Sequence, residues 1–474
     1  MRSTSPRRRV GRVERGIMLR NATPTIRVSL ALLAAAALCM TVGQSIAADV
    51  DRTAPQEREP VISGISKKLP VLSVPSDRRC VSDLPDAEVR WYGVGFAFQV
   101  GPRLAGLLCN RHIDDDGDHE DGSDLFLFDT IAGIQATNAI AVSRNESRLN
   151  PKTGQREVAT KYPMTGGFVP LGARRADGSS HPHAGSGFGI VNMILHSGSK
   201  SVAHLQVHQF SFDGRKFHAF ADTPAWDASR IKVAGSGWTI EINGLSMAIP
   251  DGDDLLYPAM ARKGEVVGCG VSRWQRRDGS WQPVAFLPVI GSGSEPTLSR
   301  DVDGSLLFCV RGVPSSPKAI VSLRVWRSTD GGQTWELIVD KSDLVGGNPI
   351  SVNRALDGTP YVVSNTVKED RSYSREVLVL WPLNAQRSGL EPRLVVRDGP
   401  GEFGRPSTRA WKLDHPTSAT LRLGDGRWRH FLIYRGKEDP TSRGPTPQAG
   451  CYVEEVSSTG LALPLWNLAD DASP

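Results

Sequence analysis

Ser328-Thr329-Asp330-Gly331-Gly332-Gln333-Thr334-Trp335 constrains this chain more than any other stretch, because its residue types specify one kind of tight β-turn. An aspartate at the head of such a turn accepts hydrogen bonds from the backbone N–H groups that follow it, and glycines supply the positive φ the turn needs. Trp335 then opens the strand-like run Trp335-Glu336-Leu337-Ile338-Val339, and its ring is large enough to cover the turn.

The same turn serves as a ruler for the rest of the chain. Ser211-Phe212-Asp213-Gly214-Arg215-Lys216-Phe217 is a degraded copy, and Arg277-Asp278-Gly279-Ser280-Trp281 keeps its Asp-Gly-x-Trp end. The spacing of Asp213, Asp278 and Asp330 suits one four-stranded unit each. A second echo is proline-based: Tyr257-Pro258-Ala259-Met260, Glu295-Pro296-Thr297-Leu298, Asn348-Pro349-Ile350-Ser351 and His415-Pro416-Thr417-Ser418 each read as the start of a strand, where a missing N–H costs no ladder bond. Asp303-Gly304, Asp357-Gly358 and Asp425-Gly426 mark the turn that follows the last three. Between these marks lie short alternating or apolar runs, such as His204 to Phe212 and Trp428 to Tyr434, and helix-period segments are scarce. Four units from residue 257 to about 456, with room for two before them, predict an all-β protein of six radial blades with insertions in the N-terminal third.

The N-terminus reads as an export signal: a basic stretch from Arg7 to Arg20, an apolar run from Val28 to Val42, and small residues around Ala47-Ala48. We expect residues 1–48 to be a signal peptide, 49–79 a linker, 80–460 the folded body and 461–474 a C-terminal tail. The apolar run is short and Ala-rich, so the mature chain is expected to carry no stable membrane anchor and to be secreted or periplasmic. The formal charge of +5 sits largely in the Arg-rich leader, whose sole carboxylate is Glu14, so it gives no reason to expect a nucleic-acid partner. Without Cys39, five cysteines remain at Cys80, Cys109, Cys269, Cys309 and Cys451, in no metal-type spacing. Cys80 with Cys109 is one disulfide option, whereas Cys269 and Cys309 sit in apolar strand patterns.

With Ser328, Asp330, Gly332, Thr334 and Trp335 at every fixed position of S-x-D-x-G-x-T-W, the opening turn resembles the Asp box of sialidases and related β-propellers. That resemblance implies a sialidase-like six-bladed propeller in which the Asp box is structural and lies away from the site. It also implies roles for residues in matching register. Glu295 opens one strand and Arg311 closes the next, similar to the family's carboxylate and one of its three substrate-binding arginines. Arg375, after Ser364-Asn365 and with Arg371 in reserve, is similar to another. Guanidinium forks suit this task because they grip a carboxylate in a geometry lysine cannot match.

Asp414-His415 occupies the place where the family's Tyr nucleophile is expected, so the resemblance implies Glu295, Asp414 and His415 as the candidate catalytic set with an altered nucleophile position. The segment that would carry the family's first arginine is not found. The implied function is a glycoside hydrolase acting on a carboxylated sugar, and the alternative is a non-catalytic carbohydrate-binding propeller. A glycan partner and a monomer are expected on either reading.

Two further clusters stand apart from that pattern. His181-Pro182-His183 precedes a run of small residues and suits acid/base work, sugar binding or a metal pair, or a loop with exposed imidazoles. The acidic run Asp114 to Asp124 alternates carboxylates at Asp114, Asp116 and Asp118 around a glycine, which suits a structural Ca²⁺ held by oxygen or a solvated loop. No other cofactor is expected.

Overall fold

The structure is a computed structural model, and it describes residues 62–66, 71–72, 89–113, 120–197, 199–312, 320–367, 374–403, 411–438 and 449–469. The leader, the triad Asp114, Asp116 and Asp118, Cys80 and Arg371 lie outside these residues. Among the described residues no helix is long and apolar enough to cross a membrane, which says nothing of β-barrels.

Six antiparallel sheets follow one another along the chain. Blade I comprises Trp91–Gly101, Leu104–His112, Glu120–Phe128 and Ile140–Ser143; blade II comprises Glu146–Leu149, Arg156–Val169, Ser186–Ser197, Lys200–Phe212 and Phe217–Ala221. Blade III runs from Ile231–Lys232 to Ser280–Ile290, and its inner edge is split into Thr239–Asn243 and Ile249–Asp251, both paired to Asp254–Lys263. Blade IV comprises Ser294–Arg300, Leu306–Arg311, Ile320–Ser328 and Glu336–Gly346; blade V comprises Ser351–Arg354, Pro360–Asn365, Val377–Pro382 and Leu394–Asp398. Blade VI comprises Trp411–Arg422, Trp428–Glu438 and Gly450–Ser458, and its outer strand is Ile62–Ile65 from the N-terminal side. The fold is therefore an all-β, six-bladed β-propeller closed by strands from both ends of the chain. Ile62–Ile65 falls in the stretch read as linker; a four-residue segment is too short to show its period but long enough to pair an open edge.

Each inner strand has one unpaired edge, and the seams between blades satisfy it. Met164 N–H donates to Ser123 Oγ (3.2 Å) across I–II, Ala248 N–H to Gly166 O (2.7 Å) across II–III, and Leu245 N–H to Pro296 O (2.9 Å) across III–IV. Val352 N–H donates to Thr297 Oγ1 (3.1 Å) across IV–V, Asn365 Nδ2 to Leu413 O (2.7 Å) across V–VI, and Thr417 Oγ1 to Gly95 O (2.8 Å) across VI–I. Buried backbone groups without partners would cost far more than these bonds contribute. Apolar side chains fill the spaces between neighbouring sheets, as where Leu307, Val325, Val362 and Trp381 pack blade IV on blade V.

The Asp box forms the turn between the third and fourth strands of blade IV. Asp330 accepts from Ser328 Oγ (2.7 Å), Thr334 N–H (3.0 Å) and Thr334 Oγ1 (2.6 Å), while Trp335 Nε1 donates to Gly332 O (3.0 Å). Gly331 and Gly332 adopt φ of 74° and 95°. The side-chain bond from Thr334 leads the interactions that hold the Asp330 carboxyl well below its usual range. Asp303, Asp357 and Asp425 each cap their turn by accepting from the N–H two residues on, at 2.9, 2.9 and 3.0 Å. Tyr257-Pro258 departs from the proline pattern: it lies within the second strand of blade III, opposite Ser272 and Val271. The split inner edge of that blade has its proline, Pro250, in Ile249–Asp251 and none at the start of Thr239–Asn243, which is why the echo pointed to the wrong strand.

Residues 463–469, read as tail, cross the Asp-box end of the axis. Leu463 N–H donates to Leu356 O (2.8 Å) in blade V, and Asn467–Leu468 pairs with Ala173–Arg174 of the blade II loop. Between these anchors Leu465 and Trp466 close an axial cavity of about 80 Å³ lined by Phe98, Leu298, Asn353 and His430. Deletion from Gly460 onward removes both side chains and uncovers the cavity. It is expected to lower stability by roughly 2–4 kcal/mol, read as an earlier chemical-denaturation midpoint, with the six-sheet circular-dichroism signature retained.

Candidate functional site

In a four-stranded meander the start of the first strand and the end of the second lie at one end of the blade, and the turn between strands three and four lies at the other. Glu295 and Arg311 therefore sit at the end of the axis opposite the Asp box, as do Asp414, His415 and the loop carrying Arg375. His181 and His183 occupy the loop between Arg156–Val169 and Ser186–Ser197 of blade II, which lies at the Asp-box end.

Glu295 and His415 hold equivalent positions in blades IV and VI. Each precedes a proline, each sits in a β-bulge, and each has positive φ, 49° and 52°. Only four non-glycine residues among those described have positive φ, and the other two are explained locally: Asp278 heads an Asp-Gly turn and Arg387 is tied to Asp301. A left-handed L-residue costs about 1–2 kcal/mol, so two in register at one end of the axis mark a place where side-chain aim has outweighed backbone ease.

Arg311 Nη1 donates to both oxygens of Glu295 at 2.9 Å, and Arg311 Nε donates to Gly347 O at 2.7 Å. Its Nη2 has no partner among the described residues, and the side chain is 25% exposed, so one donor faces outward. The next residue, Asn348, accepts from Arg375 Nε at 3.3 Å and donates to Ser374 O at 2.8 Å. Gly347-Asn348 thus holds both arginines at the junction of blades IV and V.

Asp414 is fully buried and gathers three basic groups. Arg435 donates from Nε to Oδ1 (2.7 Å) and from Nη2 to Oδ2 (2.9 Å), Arg375 Nη1 pairs with Oδ2, and His415 Nδ1 lies 2.8 Å from Oδ1. Burial opposes the charge on Asp414, but Arg435, His415 and Arg375 outweigh it and hold the carboxyl well below its usual range. Burial moves His415 the other way, lowering its pKa below the ordinary histidine value against the pull of Asp414. The result is an anionic aspartate that takes the Nδ1–H of a neutral imidazole and leaves Nε2 with its lone pair. That Nε2 has no hydrogen-bond partner among the described residues, and the side chain remains 16% exposed. Glu295 acts on the same ring through its charge, which couples the two halves of the cluster.

Blade I supplies a wall that the sequence reading missed. His112 is buried and stacked on Trp91 at 3.7 Å, with Nε2 2.8 Å from the Asn110 amide nitrogen. Burial, together with Arg435 and Lys437, keeps it neutral. Lys437 Nζ lies 5.2 Å from the Trp91 ring centre. Gly93 makes the wall possible, since a Cβ there would stand 2.5 Å from His112 Nε2. Arg435 could have been found from its position: it faces Asp414 across the first two strands of blade VI, as Arg311 faces Ser294 in blade IV. Arg111 has the corresponding place in blade I, but it is taken up by Asp121 at 2.8 Å. Val94, Phe96 and Leu245 pack together near the axis.

The two blade II histidines do not join this cluster. His181 Nε2 lies 3.2 Å from Gly252 O, its Nδ1 accepts from His183 N–H at 3.2 Å, and its ring packs edge-on to Trp466. His183 packs against Trp281. Burial lowers both pKa values, as expected of imidazoles that help seat the C-terminal crossing. Cys109, Cys269, Cys309 and Cys451 are buried free thiols.

No protein-family model matches the chain, and no curated protein matches it. Among solved structures it is similar to a protein of unknown function from Dyadobacter fermentans, at TM-score 0.47 and 12% identity over 77% of this chain and 93% of that one. It is also similar to Trypanosoma rangeli sialidase in complex with 2,3-difluorosialic acid, at TM-score 0.46 and 12% identity over 81% of this chain and 59% of that one. A third is Penicillium chrysogenum α-L-arabinanase complexed with arabinobiose, at TM-score 0.42 and 10% identity over 84% and 99%. The six-bladed arrangement is read from the sheets themselves, and these likenesses assign no family and no activity.

Asp414→Ala leaves Arg375 and Arg435 facing each other without their shared carboxylate and is expected to cost about 3–5 kcal/mol in denaturant unfolding. Because the folded pKa of Asp414 is depressed, its contribution is present above the unfolded value near pH 4 and is lost as pH falls below it. The difference between parent and variant should therefore shrink in acid.

Proposed function

We propose that the protein takes a carboxylated sugar at the Glu295–His415 end of the axis and cleaves its glycosidic bond. The observation that carries this reading is the pairing of an outward guanidinium donor on Arg311 with an open imidazole lone pair on His415, held in a cluster with more basic than acidic groups. A carboxylate is the ligand that such a guanidinium edge recognises. A neutral imidazole oriented by a buried aspartate is a general base in its working protonation state at neutral pH. Glu295 holds Arg311 in place, and Asp414 sets the His415 tautomer. The sequence register shared with sialidases supports reading His415 at the position of that family's tyrosine, and on this reading imidazole takes over the chemistry.

One observation favours a second reading. Glu295 pairs with Arg311, and Asp414 pairs with Arg375 and Arg435, and these ion pairs would also persist in a propeller that only binds glycans.

A panel of fluorogenic and natural sialosides and uronides separates the two. The first reading expects turnover by the parent, a loss of about 10²–10⁴ in kcat for His415→Ala, and a KM raised about tenfold or more for Arg311→Ala. Because the His415 pKa is lowered and the neutral form is the active one, kcat/KM should stay level down to about pH 6.5 and fall only in more acidic solution. Glycan affinity lost in Arg311→Ala, without turnover of any compound by the parent, would establish the binding reading instead.

A further inference from the structure

The two carboxyl groups of the cluster both face cationic donors. Asp414 is fixed by Arg375, Arg435 and His415, and Glu295 offers both oxygens to one guanidinium nitrogen. Hydrolysis of a glycoside by a carboxyl pair needs one of them protonated, to give its proton to the leaving oxygen. Neither is arranged to hold that proton. The group that is arranged to move one is His415, whose Nε2 is unprotonated, accessible and backed by a charged aspartate through Nδ1. The nearby cations suit negative charge that grows on a carboxylate during reaction, because charge-assisted donors aimed at developing charge are worth most where water is scarce.

We infer that this site cleaves glycans by β-elimination rather than by hydrolysis, and that its substrate is a uronic-acid residue linked through the oxygen on the ring carbon next to the one that bears the carboxylate. This inference rests on the reading of the cluster as a glycan-cleaving site. The uronate carboxylate lies on Arg311 Nη2, which lowers the cost of drawing electrons toward it. His415 Nε2 removes the hydrogen from the carboxylate-bearing carbon. The electron pair of that C–H bond becomes the new ring double bond, the adjacent C–O bond breaks, and its electron pair leaves with the glycosidic oxygen. That oxygen takes a proton, from the imidazolium or from solvent, and His415 returns to its neutral form. No water is consumed and nothing is oxidised or reduced, so the two products together have the atoms of the substrate. A sialic acid cannot react in this way, because its carboxylate-bearing carbon carries no hydrogen. The same imidazole that is misplaced for sialidase chemistry is thus suited to a different acidic sugar.

The test uses the full-length mature protein with a polygalacturonate oligosaccharide, a glucuronate-containing oligosaccharide and a fluorogenic sialoside, in water enriched in ¹⁸O. Elimination predicts ultraviolet-absorbing unsaturated ends on uronide products, product masses that sum to the substrate, and no ¹⁸O in the new ends. It also predicts slower turnover of substrate deuterated at the carboxylate-bearing carbon. His415→Gln should reduce turnover by about 10²–10⁴ while retaining uronide binding by calorimetry, which shows that the variant is folded. Arg311→Lys should raise KM more than it lowers kcat. Cleavage with ¹⁸O in the products, or of the sialoside alone, overturns elimination and leaves the glycan-cleaving reading standing. Binding of the uronides without cleavage of any compound overturns both.

Discussion

The buried carboxylate of Asp414 is the interaction on which the functional end of this propeller depends. Taking such a charge out of water is unfavourable by several kcal/mol, and here the cost is offset by two arginines from different blades and a histidine from the adjacent residue. Arg435 belongs to blade VI with Asp414, whereas Arg375 comes from blade V, so one carboxylate closes a seam and orients the His415 ring. Leu413 N–H donating to Arg375 O at 2.8 Å adds a backbone bond at the same junction. The ion cluster therefore gives geometry to His415 as much as it gives stability to the ring.

The two ends of the axis have separate tasks. At the Asp-box end, turns are closed by aspartates that accept from their own backbone, and the C-terminal segment crosses from blade V to blade II over the cavity. At the other end, backbone ease is given up: Glu295 and His415 take left-handed conformations inside bulges, Arg375 and Arg435 share Asp414, and Arg311 is held by Glu295 and Gly347 O. A propeller can carry this division because strand pairing and inter-blade packing hold the blades whatever the strand ends bear. That is also why the architecture says little about chemistry, and the proposed reaction rests on the side chains at one end.

The repeat geometry was legible because it is local. The Asp box writes its hydrogen-bond pattern into eight consecutive residues, and Asp303, Asp357 and Asp425 do the same with two. Glu295, Arg311, Arg375, Asp414 and His415 were reachable from their register relative to those turns, and the structure brings them to one end of the axis. What escaped was set by partners far away in the chain. Arg435 and Lys437 look like surface residues of a strand until blade V and blade I are placed beside them. His112 becomes a site wall only when Trp91 stacks on it and Gly93 makes room. The surroundings of His181 and His183 were hidden for the same reason: their neighbours Gly252, Trp281 and Trp466 could not be inferred from spacing. Ile62–Ile65 pairs with Gly450–Ser458 nearly four hundred residues later, a contact that no local pattern announces.

The most direct measurement is the protonation state of the His415 ring by ¹⁵N NMR of histidine-labelled protein, assigned with His415→Gln and followed over pH. A neutral ring at pH 7 with the proton on Nδ1 and a free Nε2 is expected, with a pKa below about 6.5 and loss of that tautomer preference in Asp414→Asn. An imidazolium at pH 7, or a neutral ring with its proton on Nε2, would contradict this expectation.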